Sequence, residues 1–429
     1  MKRRPRPPCA GRRATAEDAR KERPMTPIRL VRHDPALRLA ALLITLYGAL
    51  LGTLAPYVST LAVEVFGLDD ADFGAVLAVA SGVSAVGAIG LGIRADQSAR
   101  RRPVALFTLG LMVCGLALVS ALRSPLSFVL AHAVLLPAST SLFGQVFALA
   151  RLAAACHPPQ ARDGIMAVVR AGFALGFVAV VPVWSVAFGS GAGLGVVQPA
   201  ALAVGLCMVA LVERHWPRDG ATPWVDRPSG LRLGAALAEM LHPRIAARVL
   251  ALGAVNGAVM LYIALVGLSL TQIAGRSAAD VALYVGIVAG LEVPLMLALP
   301  RIMGRASRGG LIWLGACVYG AHLAAIPWLA PTGWLWALTL PGAAGGALIL
   351  TLPIAYLQDL LGDRPGAGGA LMALQKLAGD ASAALSFSVG TWAAGYGLAA
   401  GLGAGLAVAG ASALWLMDRR AGRAGLAPA

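Results

Sequence analysis

The chain has 429 residues, of which 58% are hydrophobic and only 13% charged, with a mean hydropathy of +0.76. No ordinary soluble domain carries such a balance, so the composition defines an all-α integral membrane protein. The net charge of +15 does not indicate a nucleic-acid partner, because the basic residues fall in short segments between long apolar runs, as topology determinants do.

The first stretch, residues 1–36, is rich in Arg and Pro and reads as a disordered basic tail without the apolar run of a cleaved signal peptide. It could lie against anionic lipid, or translation could begin at Met25. From Leu37 onward apolar runs long enough to cross ~30 Å of hydrocarbon recur. Twelve are predicted, near 37–60, 73–93, 104–122, 126–149, 164–188, 192–212, 245–272, 279–299, 310–329, 333–357, 368–391 and 394–416. The longest polar segment, 213–243, separates a six-helix N-terminal bundle (37–212) from a six-helix C-terminal bundle (244–416), and 417–429 form a terminal tail.

Arginines crowd the even-numbered connections, as at Arg94, Arg100, Arg101 and Arg102, whereas the other side holds only Arg123 and Arg276 together with Glu64, Asp69, Asp70 and Asp72. By the positive-inside rule both termini and the central loop are cytoplasmic.

The halves resemble each other. Ala78 to Ser84 aligns with Gly286 to Glu292, and Gly164 to Arg170 aligns with Ala370 to Lys376, which is the pattern of an internal repeat. The second alignment puts a cation at the same place in the fifth and eleventh runs. Lys376 has a local partner in Asp380 four residues on, and this pair reads as structural. Arg170 has none; it could snorkel to the interface or face a central cavity.

In the eighth run Glu292 lies between Leu291 and Val293-Pro294. A charge at bilayer depth costs about 2.5–3.5 kcal/mol on insertion scales, so it usually marks a pathway or a partner; a neutral carboxyl capping a backbone group freed by Pro294 is the plainer reading. Glu292 and Arg170, from opposite halves, would make a proton-coupling pair if they meet. Substrate-binding candidates are Tyr47, Gln145, Asn256, Tyr262 and Tyr284, with Tyr57 also able to belong to an interfacial belt beside Trp328, Trp334 and Trp336. His132 and His322 stand alone in apolar runs and read as core or cavity histidines. Five scattered cysteines imply neither disulfide nor metal, no phosphate-binding loop is present, and neither a cofactor nor an enzymatic centre is expected.

Gly92-Ile93-Arg94-Ala95-Asp96 followed by Arg100-Arg101-Arg102 resembles the loop signature of the major facilitator superfamily, although the glycine usual after the Asp is missing. Ala55-Pro56 with Ser59 and Glu64, Phe147 to Arg151, Val169-Arg170-Ala171, Gly290-Leu291-Glu292-Val293-Pro294 and Gln358-Asp359-Leu360 are similar to bacterial sugar efflux transporters. The resemblance implies a monomeric secondary transporter of the inner membrane, exporting sugars or sugar-like molecules against protons. Asp96 with Arg100 and Arg101 would then latch one conformational state. Lys376 and Asp380 fall outside that pattern. Export of amphipathic drugs or other metabolites, and a non-transporting membrane receptor, are the competing readings.

Overall fold

The computed structural model describes residues 26–218, 222–224, 226, 243–299, 307–361 and 365–423. Among them helices account for nearly every residue and no strand occurs. Eleven helical stretches are long and apolar enough to span a bilayer, and the helix Pro365–Ala394 stands where the eleventh apolar run was predicted. We number the spans α1 (Pro35–Val65), α2 (Asp70–Ser98), α3 (Arg101–Leu122), α4 (Pro125–Ala154), α5 (Pro159–Gly189), α6 (Leu194–His215), α7 (Ile245–Ile273), α8 (Ala278–Ala298), α9 (Arg308–Leu329), α10 (Gly333–Pro353, helical on to Leu361), α11 (Pro365–Ala394) and α12 (Tyr396–Arg423).

Several spans outrun their apolar cores, since a helix continues through polar residues once its backbone bonds are formed. Two sequence expectations change accordingly. The tail assigned to 1–36 becomes helical at Pro27–His33, with Leu30 and Val31 buried, and residues 1–25 lie outside the described residues. The tail assigned to 417–429 is helical through Arg423.

Asp34 explains the early start. Its carboxylate accepts from the amides of Ala36 and Leu37 at 2.9 and 3.1 Å and lies 3.1 Å from His157 Nε2, so it satisfies donors that a helix start leaves free. Most of the central segment lies outside the described residues, but Trp216 and Trp224 are buried and Asp226 receives Arg101.

The internal repeat is visible in the backbone. Each half opens with a span that ends in a π-turn, Leu61–Val65 in α1 and Ser269–Ile273 in α7. Each π-turn is followed by a glycine of positive φ, Gly67 at 68° and Gly275 at 60°, and then by a side-chain cap, Asp69 or Ser277. Within the halves α1 packs on α5 as α7 packs on α11. Small residues permit that approach: a Cβ at Gly176 in α5 would overlap the carbonyl oxygen of Thr45 in α1.

The halves meet along two seams, α5 with α8 and α2 with α11, and along α1 with α7. Among the described residues the ties concentrate at the face opposite the termini. Gln272 Nε2 donates to Glu64 Oε1 at 2.7 Å, Tyr396 OH to Asp70 Oδ1 at 2.9 Å, and Ser185 Oγ to the Ala279 carbonyl at 3.2 Å. Phe73 meets Phe387 edge-on at 5.4 Å. Towards the face that carries the termini, called here the terminal face, Arg170 is exposed and the Lys376 side chain is 49% exposed. No hydrogen bond among the described residues joins the two six-helix bundles at that end. Among the described residues, the hydrogen bonds between the halves thus lie at the face opposite the termini.

Candidate functional site

Glu292 sits in the terminal-side half of α8, nearly two turns before that helix ends at Ala298, and points into the C-terminal bundle. Gly346 of α10 makes its room, because a Cβ there would overlap Glu292 Oε1. The same helix accommodates two further polar side chains. A Cβ at Gly345 would lie 2.6 Å from the Tyr319 backbone nitrogen, and one at Gly342 would lie 2.7 Å from His322 Nδ1. The sequence Gly342-Ala343-Ala344-Gly345-Gly346 is thus a cradle, and each bare backbone position lets a bulky or charged group from α8 or α9 lie directly on α10.

Around this cradle the aromatic groups close a box. Tyr262 lies 6.1 Å from Tyr319 and 5.5 Å from His322, Tyr284 stacks with His322 at 6.2 Å, and Trp336 lies 6.2 Å from Tyr284. Tyr262 and Tyr319 are within electrostatic range of Glu292. His322 Nδ1 lies 2.9 Å from the Leu338 carbonyl. A carbonyl can only accept, so that nitrogen carries the hydrogen and Nε2 is left as an acceptor. Both His322 Nε2 and the Tyr262 hydroxyl are buried without a partner, the kind of orphaned polar atom that a water, proton or ligand group satisfies.

The expected pair of Glu292 with Arg170 does not form. Arg170 makes no ion pair among the described residues and Glu292 makes no hydrogen bond among them. The cause is rotation. α5 and α8 touch through Val181 and Gly286 and through Ser185 and Ala279. Glu292 lies six residues beyond Gly286, about 120° away around the helix at ~3.6 residues per turn, so it faces α10. Arg170 is eleven residues before Val181, which returns it to within about 20° of the same face. It therefore stands on the seam face of α5, with its side chain exposed.

The other sequence candidates divide between the halves. Tyr47 is buried in the N-terminal bundle with its ring 5.7 Å from Phe143 and 6.4 Å from Phe173, and Gln145 is buried with Oε1 unpartnered. Asn256 lies against α11, where a Cβ at Gly379 would be 2.6 Å from its amide nitrogen. Tyr262 and Tyr284 belong to the Glu292 cluster. No hydrogen bond or ring contact among the described residues links Tyr47 and Gln145 to the trio in the other half.

Lys376 donates to Asp380, and the two line a small recess against Ser81, Ser84, Ala85 and Ala88 of α2. The pair therefore stands on the α2–α11 seam. Asp96 binds Arg101 at 2.9 Å, and Arg101 also donates to Asp226 at 2.7 Å. Arg100 stays exposed, with its backbone amide bonded to Ser98 Oγ.

Several lesser expectations need correction. Tyr57 is fully buried beside Trp184 and Phe188, and Trp336 is drawn inward against Tyr284 with the Arg276 guanidinium 5.8 Å above it. Neither belongs to an interfacial belt, whereas Trp328, Trp334 and Trp392 are exposed. His132 stacks on Phe128 and lies 3.0 Å from Gln198 Nε2. Cys156 is disulfide-bonded, while Cys114, Cys207 and Cys317 are free. Spacing held no sign of that bond, since a disulfide needs only two Cβ atoms that meet in space. The side chains of Gln358-Asp359-Leu360 lie outside the described residues.

Sequence reasoning missed the part played by α10. The run of small residues was visible, but only the packing shows that it holds His322, Tyr319 and Glu292. Tyr319 itself was overlooked, because a tyrosine in an apolar run carries no distinguishing pattern.

Two pseudo-equivalent helical bundles that meet along α5–α8 and α2–α11 have the architecture of a polytopic membrane transporter. Comparison with known proteins points to transporters. The model described as Major Facilitator Superfamily matches residues 2–155, so the first third of the chain is similar to major facilitator proteins. A Deinococcus radiodurans protein named "Putative sugar efflux transporter" is 28% identical over 367 residues, covering 85% of this chain and 92% of the relative. Crystal structures of the nucleoside transporter NupG superpose with TM-scores of 0.73 and 0.72 at 16% and 14% identity, covering 90% of this chain and 100% and 99% of theirs. The human organic anion transporter MFSD10 (TETRAN) gives 0.58 at 18% identity, over 92% of this chain and 100% of its own. These structures share the fold.

Proposed function

We propose that the protein is a secondary active exporter of sugars or sugar-like small molecules that exchanges solute for protons by alternating access. It works as a monomer in the bacterial cytoplasmic membrane, with both termini cytoplasmic. The orientation rests on the arginines of the terminal face, Arg94, Arg100, Arg101 and Arg102 among them. The bundles 37–212 and 244–416 are the bodies that rock.

The single observation that carries the coupling is the placement of Glu292 in the α10 cradle, beside Tyr319, Tyr262 and His322. A carboxyl held among aromatic rings is neutral or charged according to what surrounds it. A change in access to the cluster as the halves rock would then load and unload its proton. The direct Glu292–Arg170 pair is not needed for this and does not exist in the state described here.

A sugar substrate is supported by the named relative from Deinococcus radiodurans. It is consistent with NupG, whose nucleoside substrates contain a sugar ring. Tyr47, Gln145 and Asn256, with Tyr262 and Tyr284 reached in the alternate state, are the side chains proposed to meet the solute. Asp96, with Arg101 and Arg100, is the latch at the terminal face.

The test is proton flux in proteoliposomes under an imposed pH gradient when sugars are added. Sugar-dependent flux in the wild type that is lost in Glu292→Gln, with solute exchange retained, is the expected result. Equal proton flux in wild type and Glu292→Gln would remove Glu292 from the coupling. Flux with amphipathic cations alone would replace sugars by drugs as the substrate class.

A further inference from the structure

Arg170 and Lys376 are the same residue of the repeat. Each stands eleven positions past the proline that opens its helix, Pro159 for α5 and Pro365 for α11. Each also shares a helix face with the residue eleven positions further on, and that residue touches the opposing half. Beyond Arg170 it is Val181, against Gly286 of α8; beyond Lys376 it is Phe387, against Phe73 of α2. The two cations therefore occupy the two inter-bundle seams at matching depth, about 16 Å into their helices.

Their surroundings differ in charge four residues on. Lys376 has its counter-ion four residues on, in Asp380. The equivalent place in α5 is Ala174, which is partly exposed, so Arg170 has a methyl group where Lys376 has a carboxylate. No other acid among the described residues makes up the difference. Glu292 is turned into α10, and Asp163, two turns nearer the terminal face, is exposed and forms no ion pair with Arg170 among the described residues. An arginine at this depth is costly unless something pairs with it, and a guanidinium suits carboxylates and phosphates through its forked donors.

We propose that the missing carboxylate is brought by the solute: Arg170 is the counter-ion of an anionic group, a carboxylate or a phosphate, carried on the hydroxylated molecule that the protein moves. This rests on the transporter reading above and narrows its substrate class to sugar acids or sugar phosphates. It also disfavours amphipathic cations, which an uncompensated positive charge on the seam repels. Lys376 does not compete for the anion, because its charge is already engaged by Asp380.

The test is counterflow in proteoliposomes with three probes of similar size: glucose, gluconate and glucose 6-phosphate. In the wild type, one or both anions should move at least about tenfold faster than glucose, a ratio of the order that a charge-assisted pair supplies. Gluconate and glucose 6-phosphate separate the carboxylate from the phosphate. Arg170→Gln should collapse the ratio, and Arg170→Lys should keep most of it. Ala174→Asp is the more specific variant, because it builds into α5 the counter-ion that α11 already has; it should abolish anion preference while leaving the arginine in place. Glucose moving as fast as the anions, or an anion preference that survives both Arg170→Gln and Ala174→Asp, would overturn the proposal and leave the sugar-transporter reading standing. No flux with any of the three probes would overturn both.

Discussion

Gln272 donates its side-chain amide to Glu64 across the two halves at 2.7 Å, and the two residues are equivalents in the internal repeat, each within the π-turn that ends the first span of its half. One side of the protein is thus closed by a bond between repeat-related positions. The nearby bond from Tyr396 to Asp70 ties a second pair of spans at the same face. Opening that face requires both bonds to break, so their strength biases the equilibrium between the two access states.

Removing both ties should open the face. Each bond is partly solvated and contributes about 0.5–1.5 kcal/mol, so Gln272→Ala with Tyr396→Phe should shift the equilibrium by roughly tenfold or more. The reporter is Ser59→Cys in a background without other reactive cysteines, since Ser59 is fully buried beside Gly267. Its labelling rate by a membrane-impermeant maleimide should rise with the double substitution. An unchanged rate would mean that apolar packing, and not these bonds, holds the face shut.

The cradle predicts that Gly346→Ala mimics the loss of Glu292. A methyl group there meets Glu292 Oε1, and overpacking of this kind costs about 1–3 kcal/mol. The carboxyl must leave its slot or α10 must move. Gradient-driven transport should fall as it does in Glu292→Gln, with the protein still folded by thermal-shift measurement. Full activity in Gly346→Ala would show that the position of the carboxyl within the bundle is unimportant.

A purely structural network lies at the terminal face of the C-terminal bundle. Arg248 Nε donates to Tyr356 OH at 3.0 Å, and that hydroxyl donates to Asp418 at 2.7 Å, joining α7, α10 and α12. Tyr356→Phe removes the bridging hydroxyl but leaves Asp418 its ion pair with Arg248 at 3.5 Å, and should destabilise the protein by about 0.5–1.5 kcal/mol. The expected signature is a lower Tm with an unaltered ratio of proton to solute flux. A changed ratio would place the network in the transport machinery.

Asp96→Asn tests the latch. Arg101 would lose one of its two carboxylates and keep Asp226, so the loop should hold together while any tie from Asp96 to the other half in the alternate state is weakened. Accessibility of cysteine probes should shift towards the state open at the terminal face, by about threefold to tenfold for one charge-assisted bond. Equal accessibility in wild type and variant would leave Asp96 a local partner of Arg101 only.

Small residues carry the fold's tightest crossing. Gly176→Val would drive a branched side chain into the Thr45 carbonyl, at a cost of several kcal/mol where a backbone cannot yield. The expected outcome is loss of folded protein on size-exclusion chromatography. Normal yield and Tm would indicate that α1 and α5 can separate without penalty.

Hydropathy along the chain determines twelve spans and a division into two halves, because each span must satisfy its own backbone bonds in lipid and needs an apolar run of fixed length to do so. The repeat was legible for the same local reason: Arg170 and Lys376 align by sequence and occupy matching helix positions. The capping of α1 by Asp34 and the pairing of Lys376 with Asp380 are also local, within three or four residues. What tertiary structure alone decided is which way each side chain faces. Glu292 and Arg170 lie on neighbouring spans, yet a rotation of about 120° sends one into the α10 cradle and leaves the other on the seam. Rotation about a helix axis is set by packing against several neighbours at once, and an almost uniformly apolar span such as α8 carries no polar stripe from which it could be read.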